Sequence, residues 1–244
     1  MRRQAFTLIE LLVVVSIIAL LIAILLPSLS KARHTAQALA CATQQRQILI
    51  GVHMFANDNK QYIIPVGHGV NWNNISKTEW WFAHRWLGPY IGETDTEEPK
   101  VIHCPSVDEG LYGIGMNHPQ IGRWLQVSQE SGKMSVEWGE AAHRTDTIER
   151  PDDTVSFADA ALIYNYTELN PELWIPKYPN KGEKIFRTPD NGRFYEYENP
   201  VRAFNRHDDR LAAGFLDGHV EVMSVGEIGF QYPLKDPQAK WDRY

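Results

Sequence analysis

The chain has 244 residues, enough for one medium domain with an accessory segment. Hydrophobic residues make up 43% and charged residues 22%, which excludes disorder throughout. With 30 acidic and 24 basic residues the net charge is -6, which argues against nucleic acid as a partner, and 2 cysteines exclude a disulfide-dense scaffold.

These averages conceal two unlike parts. Phe6 to Leu26 carries one charge, Glu10, and has no Gly or Pro before Pro27. At ~1.5 Å per residue this run spans roughly 32 Å as a helix, about the hydrocarbon thickness of a bilayer. A buried helix of a soluble protein would show a polar face, and this one shows none. Arg2 and Arg3 precede the run and place Met1 in the cytoplasm, although Lys31 and Arg33 beyond it weaken charge as a guide. An ordinary secretory signal would end in a small-x-small cleavage site, whereas Leu25, Leu26 and Pro27 close this run.

Ala5-Phe6-Thr7-Leu8-Ile9-Glu10, behind a short basic leader and ahead of a long apolar helix, resembles the prepilin signal of type IV pilins and type II secretion pseudopilins. The resemblance implies cleavage between Ala5 and Phe6 by prepilin peptidase, methylation of the new N-terminus at Phe6, and retention of the helix in the inner membrane. The residue before the cut is usually Gly, and Ala5 is nearly as small. A carboxylate within a membrane helix costs ~2.5 kcal/mol or more near the centre, so Glu10 either has a partner or snorkels to the nearby headgroups. The resemblance implies that this partner is the N-terminal amine of a neighbouring subunit in a fibre.

Pro27 removes one helix hydrogen bond and is expected to kink the helix. Beyond it, Leu29, Ala32, Ala36, Leu39, Thr43, Ile50 and Met54 follow a 3–4 spacing that predicts an amphipathic continuation to about Ala56, with this stripe packed on the head. Asn57-Asp58-Asn59 then supplies turn chemistry.

Residues 57–244 are punctuated by Gly, Pro and Asn and read as a globular head. Strand-like runs are Tyr62-Ile63-Ile64, Val101-Ile102-His103 and Thr154 to Ala158. Trp80 to Trp86 reads as a short helix, and Pro171 to Asn199 as an irregular loop. Asp217-Gly218 predicts a tight hairpin turn, pairing Phe215 with Val220 and Ala213 with Val222 on a face that covers the stem.

His207, followed by nine residues and then Asp217-Gly218, is similar to the H-X9-DG C-terminal signature of a large group of prepilin-signal proteins. Cys104-Pro105-Ser106, and Arg150 to Thr154 leading into Phe157-Ala158-Asp159, extend this resemblance over nearly the whole chain. Asp159, His207 and Asp217 could converge as a structural network, a metal site or a catalytic group, but no G-x-S-x-G or H-E-x-x-H motif accompanies them. Some major pseudopilins bind Ca2+ near the C-terminus. Asp208, Asp209, Asp217 and Glu221 offer oxygens here, in no recognisable Ca2+ loop. Cys41 and Cys104 would face the oxidising periplasm, where a disulfide between them is permitted, or else pack as two buried thiols. His103 beside Cys104 lacks the paired spacing of a zinc motif. The 8 Trp and 10 Tyr form either a core or a stacking platform, with Trp72, Trp80, Trp81 and Trp124 as candidates for the latter.

The expected architecture is α+β: a leader at 1–5, a transmembrane segment at 6–26, an amphipathic stem at 27–56, and a periplasmic head at 57–244 built on an antiparallel sheet. The expected function is that of a pseudopilin-like structural subunit, not an enzyme, assembled with like subunits into a pilus-like fibre of type II secretion or a related envelope system. No cofactor is expected beyond Ca2+. The alternative is a membrane-tethered minor-pilin adhesin that binds glycan or protein through the aromatic head.

Overall fold

The computed structural model describes residues 8–68, 79–83, 86–92, 99–108, 112–125, 127–128, 135–136, 143–192 and 194–244. Helix α1, Leu8–Asp58, is 51 residues long and unbroken across Pro27. Residues 8–36 of this helix are exposed. From Ala38 onward one face is buried, through Cys41, Gln45, Ile48, Leu49, Gly51, Val52, Phe55 and Ala56. The second half of the helix is thus part of the head's own core.

The stripe expected to pack on the head does not do so. Leu29, Ala32, Ala36, Leu39, Thr43, Ile50 and Met54 are all exposed. At ~100° per residue they lie on the side of the helix opposite the buried set. The buried face was overlooked because Ala38, Cys41, Gln45 and Gly51 carry little hydrophobic signal. Cys41 brings the helix against Asp159 of the sheet, and Gly51 admits Leu87 and Ile91.

Six strands form the main sheet: β1 (Ile114–His118), β2 (Val155–Leu162), β3 (Ile185–Arg187), β4 (Val201–Ala203), β5 (Leu211–Phe215) and β6 (Val220–Met223). Their order is β6-β5-β2-β1-β3, with β4 pairing the far end of β2. The sheet is mixed rather than antiparallel, because β3 runs parallel to β1. Strand β2 follows the alternating apolar pattern read from Thr154 to Ala158. Strand β3 lies inside the segment read as irregular, where Ile185-Phe186 is too short a signal to stand out.

Each sheet face carries its own core. Phe157, Ala212, Met116 and Ile185 join the stem residues Ile48, Leu49, Val52 and Phe55. Ala158, Ala160, Ala213, Phe215, Phe230 and Trp241 form the second core on the opposite face.

The β5–β6 hairpin forms, but its register is one residue from the expected one. Gly214 pairs with Val220, Ala213 with Glu221 and Ala212 with Val222. Phe215 N donates to His219 O at 2.9 Å and Gly218 N to Phe215 O at 3.0 Å, so the loop holds three residues rather than two. Gly218 supplies the left-handed position of that loop at φ 102. The slip exchanges the faces of β5: Ala212 and Gly214 meet the stem side while Ala213 and Phe215 enter the second core, and Val220 stays on the stem side as expected. Gly214 is needed there, since a Cβ would lie 2.8 Å from Leu49 Cδ1.

Three further expectations are corrected. Lys100–Ile102 is a 3-10 turn, not a strand, following Pro99. Glu79–Trp80 is a two-residue strand followed by turns, not the start of a helix. Tyr62 makes only an isolated bridge with Arg144.

Candidate functional site

Four segments bring one side chain each to the junction of stem and sheet. Cys41 lies on the buried face of α1. Cys104 follows the 3-10 turn. Asp159 projects from β2 on the same side as Phe157, toward the stem. His207 opens the connection into β5. There His207 N donates to Arg210 O at 2.7 Å and Arg210 N to His207 O at 3.2 Å. Asp208 and Asp209 between them take φ 53 and 60, a primed turn that short polar side chains tolerate.

The four donor atoms lie within 4.8 Å of one another, and all four residues are buried. Cys41 Sγ donates to Asp159 Oδ1 at 3.0 Å. His207 Nε2 lies 3.2 Å from Asp159 Oδ2 and 3.4 Å from Cys104 Sγ. The other ring nitrogen, Nδ1, is 3.1 Å from Ser106 Oγ. Ala212 N donates to Asp159 Oδ2 at 2.9 Å. Gln45 Nε2 donates to Ala212 O at 2.9 Å and reaches Cys41 Sγ at 3.9 Å.

Burial and pairing pull these groups in opposite directions. Burial works against a charge on His207, but hydrogen bonds to Asp159 and Cys104 outweigh it, and its pKa is pushed up to about 10. Burial likewise works against the Asp159 carboxylate, yet the His207 contact and charge, with Arg206 and Cys41, hold it below the usual range. Cys104 is drawn down to about 7, first by its contact with Cys41, against burial, and then by His207. Cys41 is pushed well above the usual thiol range by burial, with Cys104 and Asp159 adding to it.

The structure therefore brings together Asp159 and His207, and adds both cysteines to them. Cys41 and Cys104 are free thiols, not a disulfide. Asp217 stays outside, in the β5–β6 turn, where its Oδ1 accepts from His219 N at 3.0 Å and lies 2.6 Å from His219 Nδ1. Asp208, Asp209 and Glu221 are exposed and do not join Asp159. Ser106 and Gln45 were not singled out in the sequence. The signal for Ser106 was its place in Cys104-Pro105-Ser106, a segment that contacts His207 through two of its three residues.

The other sequence candidates fall elsewhere. Glu10 is in the first turn of α1 on its exposed surface. Ala5, Phe6 and Trp72 lie outside the described residues, as does the Trp124 side chain. Trp81 is fully buried and packs on Phe157 at 5.1 Å between ring centroids. Trp80 is half-buried beneath Lys184 Nζ, 4.0 Å from its ring. Both therefore serve the core or its margin.

A crevice of about 570 Å³ opens between stem and head beside the cluster, lined by Leu29, Arg33, Gln37, Ser106, Phe204 and Arg206 among others. Ser106 belongs to both crevice and cluster. The cluster itself is closed to anything larger than an ion.

Among the described residues, one helix is long and apolar enough to cross a membrane, with a window of mean hydropathy 3.2 and none of it buried. No curated protein and no solved structure matches the chain significantly. Residues 1–26 match the family model for the prokaryotic N-terminal methylation motif, so the chain carries the prepilin signal of pilin-like proteins.

Proposed function

We propose that the chain is a structural subunit of a pilus-like fibre, cut before Phe6, methylated there, and anchored through α1 in the inner membrane with its head in the periplasm. The observation that carries the reading is the outward face of the stem. Leu29 is 67% exposed, Leu39 60%, Ile50 54% and Met54 48%, in line with the exposed apolar surface of residues 8–26. A stripe that runs from the membrane span along the back of a head-bearing helix fits burial against the stems of like subunits. The head is a rigid mass fixed to the other side of the same helix, which leaves the stripe clear for such packing. Glu10 in the first turn would set axial register by meeting the N-terminal amine of a neighbour. A type II secretion assembly is the specific setting this reading favours.

The test is mass spectrometry of the N-terminus in native membranes. A methylated Phe6 start supports the proposal, and an intact Met1 or a start beyond Pro27 overturns it. Glu10→Ala should leave membrane insertion intact and reduce recovery of fibres. Undiminished assembly would remove Glu10 from the mechanism.

A further inference from the structure

We propose that Cys41, Cys104, Asp159 and His207 form a structural zinc site that fastens the stem helix to the sheet. The inference is independent of whether the chain assembles into fibres.

The four donor atoms are close enough to converge on one ion. Zinc–sulfur bonds of ~2.3 Å and zinc–nitrogen or zinc–oxygen bonds of ~2.0–2.2 Å place the corners of a tetrahedral site about 3.3–3.8 Å apart. The observed separations are 3.0 Å from Cys41 Sγ to Asp159 Oδ1, 3.2 Å from Asp159 Oδ2 to His207 Nε2, and 3.4 Å from His207 Nε2 to Cys104 Sγ. No pair of donor atoms is more than 4.8 Å apart. Closing the longest separation by about 1 Å, and adjusting the others by a few tenths of an ångström, completes the shell.

The chemistry narrows the ion. Two thiolates are wrong for Ca2+ or Mg2+, which take oxygen ligands. Thiolate, imidazole and carboxylate together suit zinc, and four protein ligands with no open position mark a structural site rather than a catalytic one.

The surrounding groups are placed as supports of a metal shell. Ser106 Oγ stands 3.1 Å from His207 Nδ1, where it accepts the Nδ1 proton and leaves Nε2 free for the ion. Ala212 N holds the Asp159 carboxylate at 2.9 Å. Gln45 Nε2 points at Cys41 Sγ from 3.9 Å, a donor aimed at sulfur. Gln45 Oε1 is buried without a hydrogen-bond partner among the described residues, so the amide is oriented by its donor end. The crevice reaching Ser106 offers an entry path. On binding, zinc takes the places of the protons on Cys41 Sγ, Cys104 Sγ and His207 Nε2, which pass to solvent, and no oxidant or reductant is needed.

The experiment uses the full chain, purified in detergent without chelator. Elemental analysis should find about one zinc per chain, and replacement by cobalt should give thiolate charge-transfer and tetrahedral d–d bands. Both cysteines of the chain belong to the site, so a thiolate–cobalt band can arise only there. Cys104→Ser and Asp159→Asn should lose most of the metal, and chelation should lower the wild-type Tm by about 5 °C or more. Should the variants fail to fold, the wild-type cobalt spectrum still decides. Protein that carries no zinc and gives no cobalt bands overturns the proposal. So does zinc retained in full by a folded Cys104→Ser, or an intact mass two hydrogens light from a Cys41–Cys104 disulfide.

Discussion

His207 and Asp217 stand at opposite ends of one strand. His207 opens the primed turn that leads into β5, and Asp217 sits in the loop that leaves it. A five-residue strand at ~3.4 Å per residue is roughly 17 Å long, so the two side chains do not share a site. The nine-residue interval measures the strand and its turns, and each end has its own task. His207 is 3% exposed and ties Cys104, Ser106 and Asp159 together. Asp217 orders an exposed hairpin through His219. His207→Ala should therefore lower stability by about 3 kcal/mol or more, since it strands the buried Asp159 carboxylate. Asp217→Ala should cost under about 1 kcal/mol. Thermal unfolding of the full chain in detergent distinguishes the two, and equal effects would contradict this division.

The outward stripe gives a second prediction. Leu39→Asp and Ile50→Asp each place a charge on an exposed position of α1, so the subunit should keep its stability to within about 0.5 kcal/mol. Fibre recovery should fall sharply, because the charge would be buried between stems. Assembly at wild-type yield with either variant would show that this face does not pack in the fibre. On the opposite face, Gly214→Leu should wedge the helix from the sheet, where even a Cβ would stand 2.8 Å from Leu49. A destabilisation of about 1–3 kcal/mol is expected, read as a lower Tm.

How far these relationships were legible in the sequence depends on their physical range. The long apolar helix, strand β2 and the hairpin all declare themselves through local pattern. The face of the stem did not, because α1 is apolar on two sides and the docked side interleaves Ile48, Leu49, Val52 and Phe55 with Ala38, Cys41, Gln45 and Gly51. The hairpin register turned on whether the loop held two residues or three, and Asp217-Gly218 fits both. Asp159 and His207 could be paired by residue type. Cys41 and Cys104 read equally as a disulfide or as two buried thiols, because nothing local says that the stem places Cys41 beside a β2 carboxylate.

Arg150 gathers several contacts of the C-terminal tail, which makes a third prediction. Arg150 Nε donates to Tyr244 O at 2.6 Å, and Nη1 to Pro237 O at 2.8 Å and Asp153 Oδ2 at 3.0 Å. Its Nη2 faces the buried Asp242 at 3.4 Å. Thr154 Oγ1 adds a bond to Asp242 O at 3.0 Å. The tail carries Trp241, which fills the second core at 1% exposure. Arg150→Ala should loosen the tail and cost about 1–3 kcal/mol, because it leaves the buried Asp242 carboxylate without its cation and part-buried acceptors unmet. Limited proteolysis should then cut near residues 235–244 in the variant alone. Arg150→Lys, a point charge without the planar fork, should restore only part of the loss.

Acid should weaken the head through His118. This residue is 6% exposed, and its Nδ1 donates to Gly122 O at 3.0 Å. Burial, chiefly, together with the nearby Arg187 and Arg123 charges, outweighs that bond and lowers its pKa from 6.5 to about 4. The folded state thus binds its proton more weakly than the unfolded chain does. The contribution to stability is complete above about pH 6.5 and is lost as pH falls toward 4, where the unfolded chain takes up a proton that the folded one refuses. A shift of this size is worth about 3 kcal/mol in order of magnitude. His143, lowered to about 4 by burial and then by Arg243, titrates in the same direction. His118→Gln, which keeps a donor for Gly122 O, should flatten the fall of Tm between pH 7 and pH 4.5. An unchanged slope in that variant would assign the acid sensitivity to other groups.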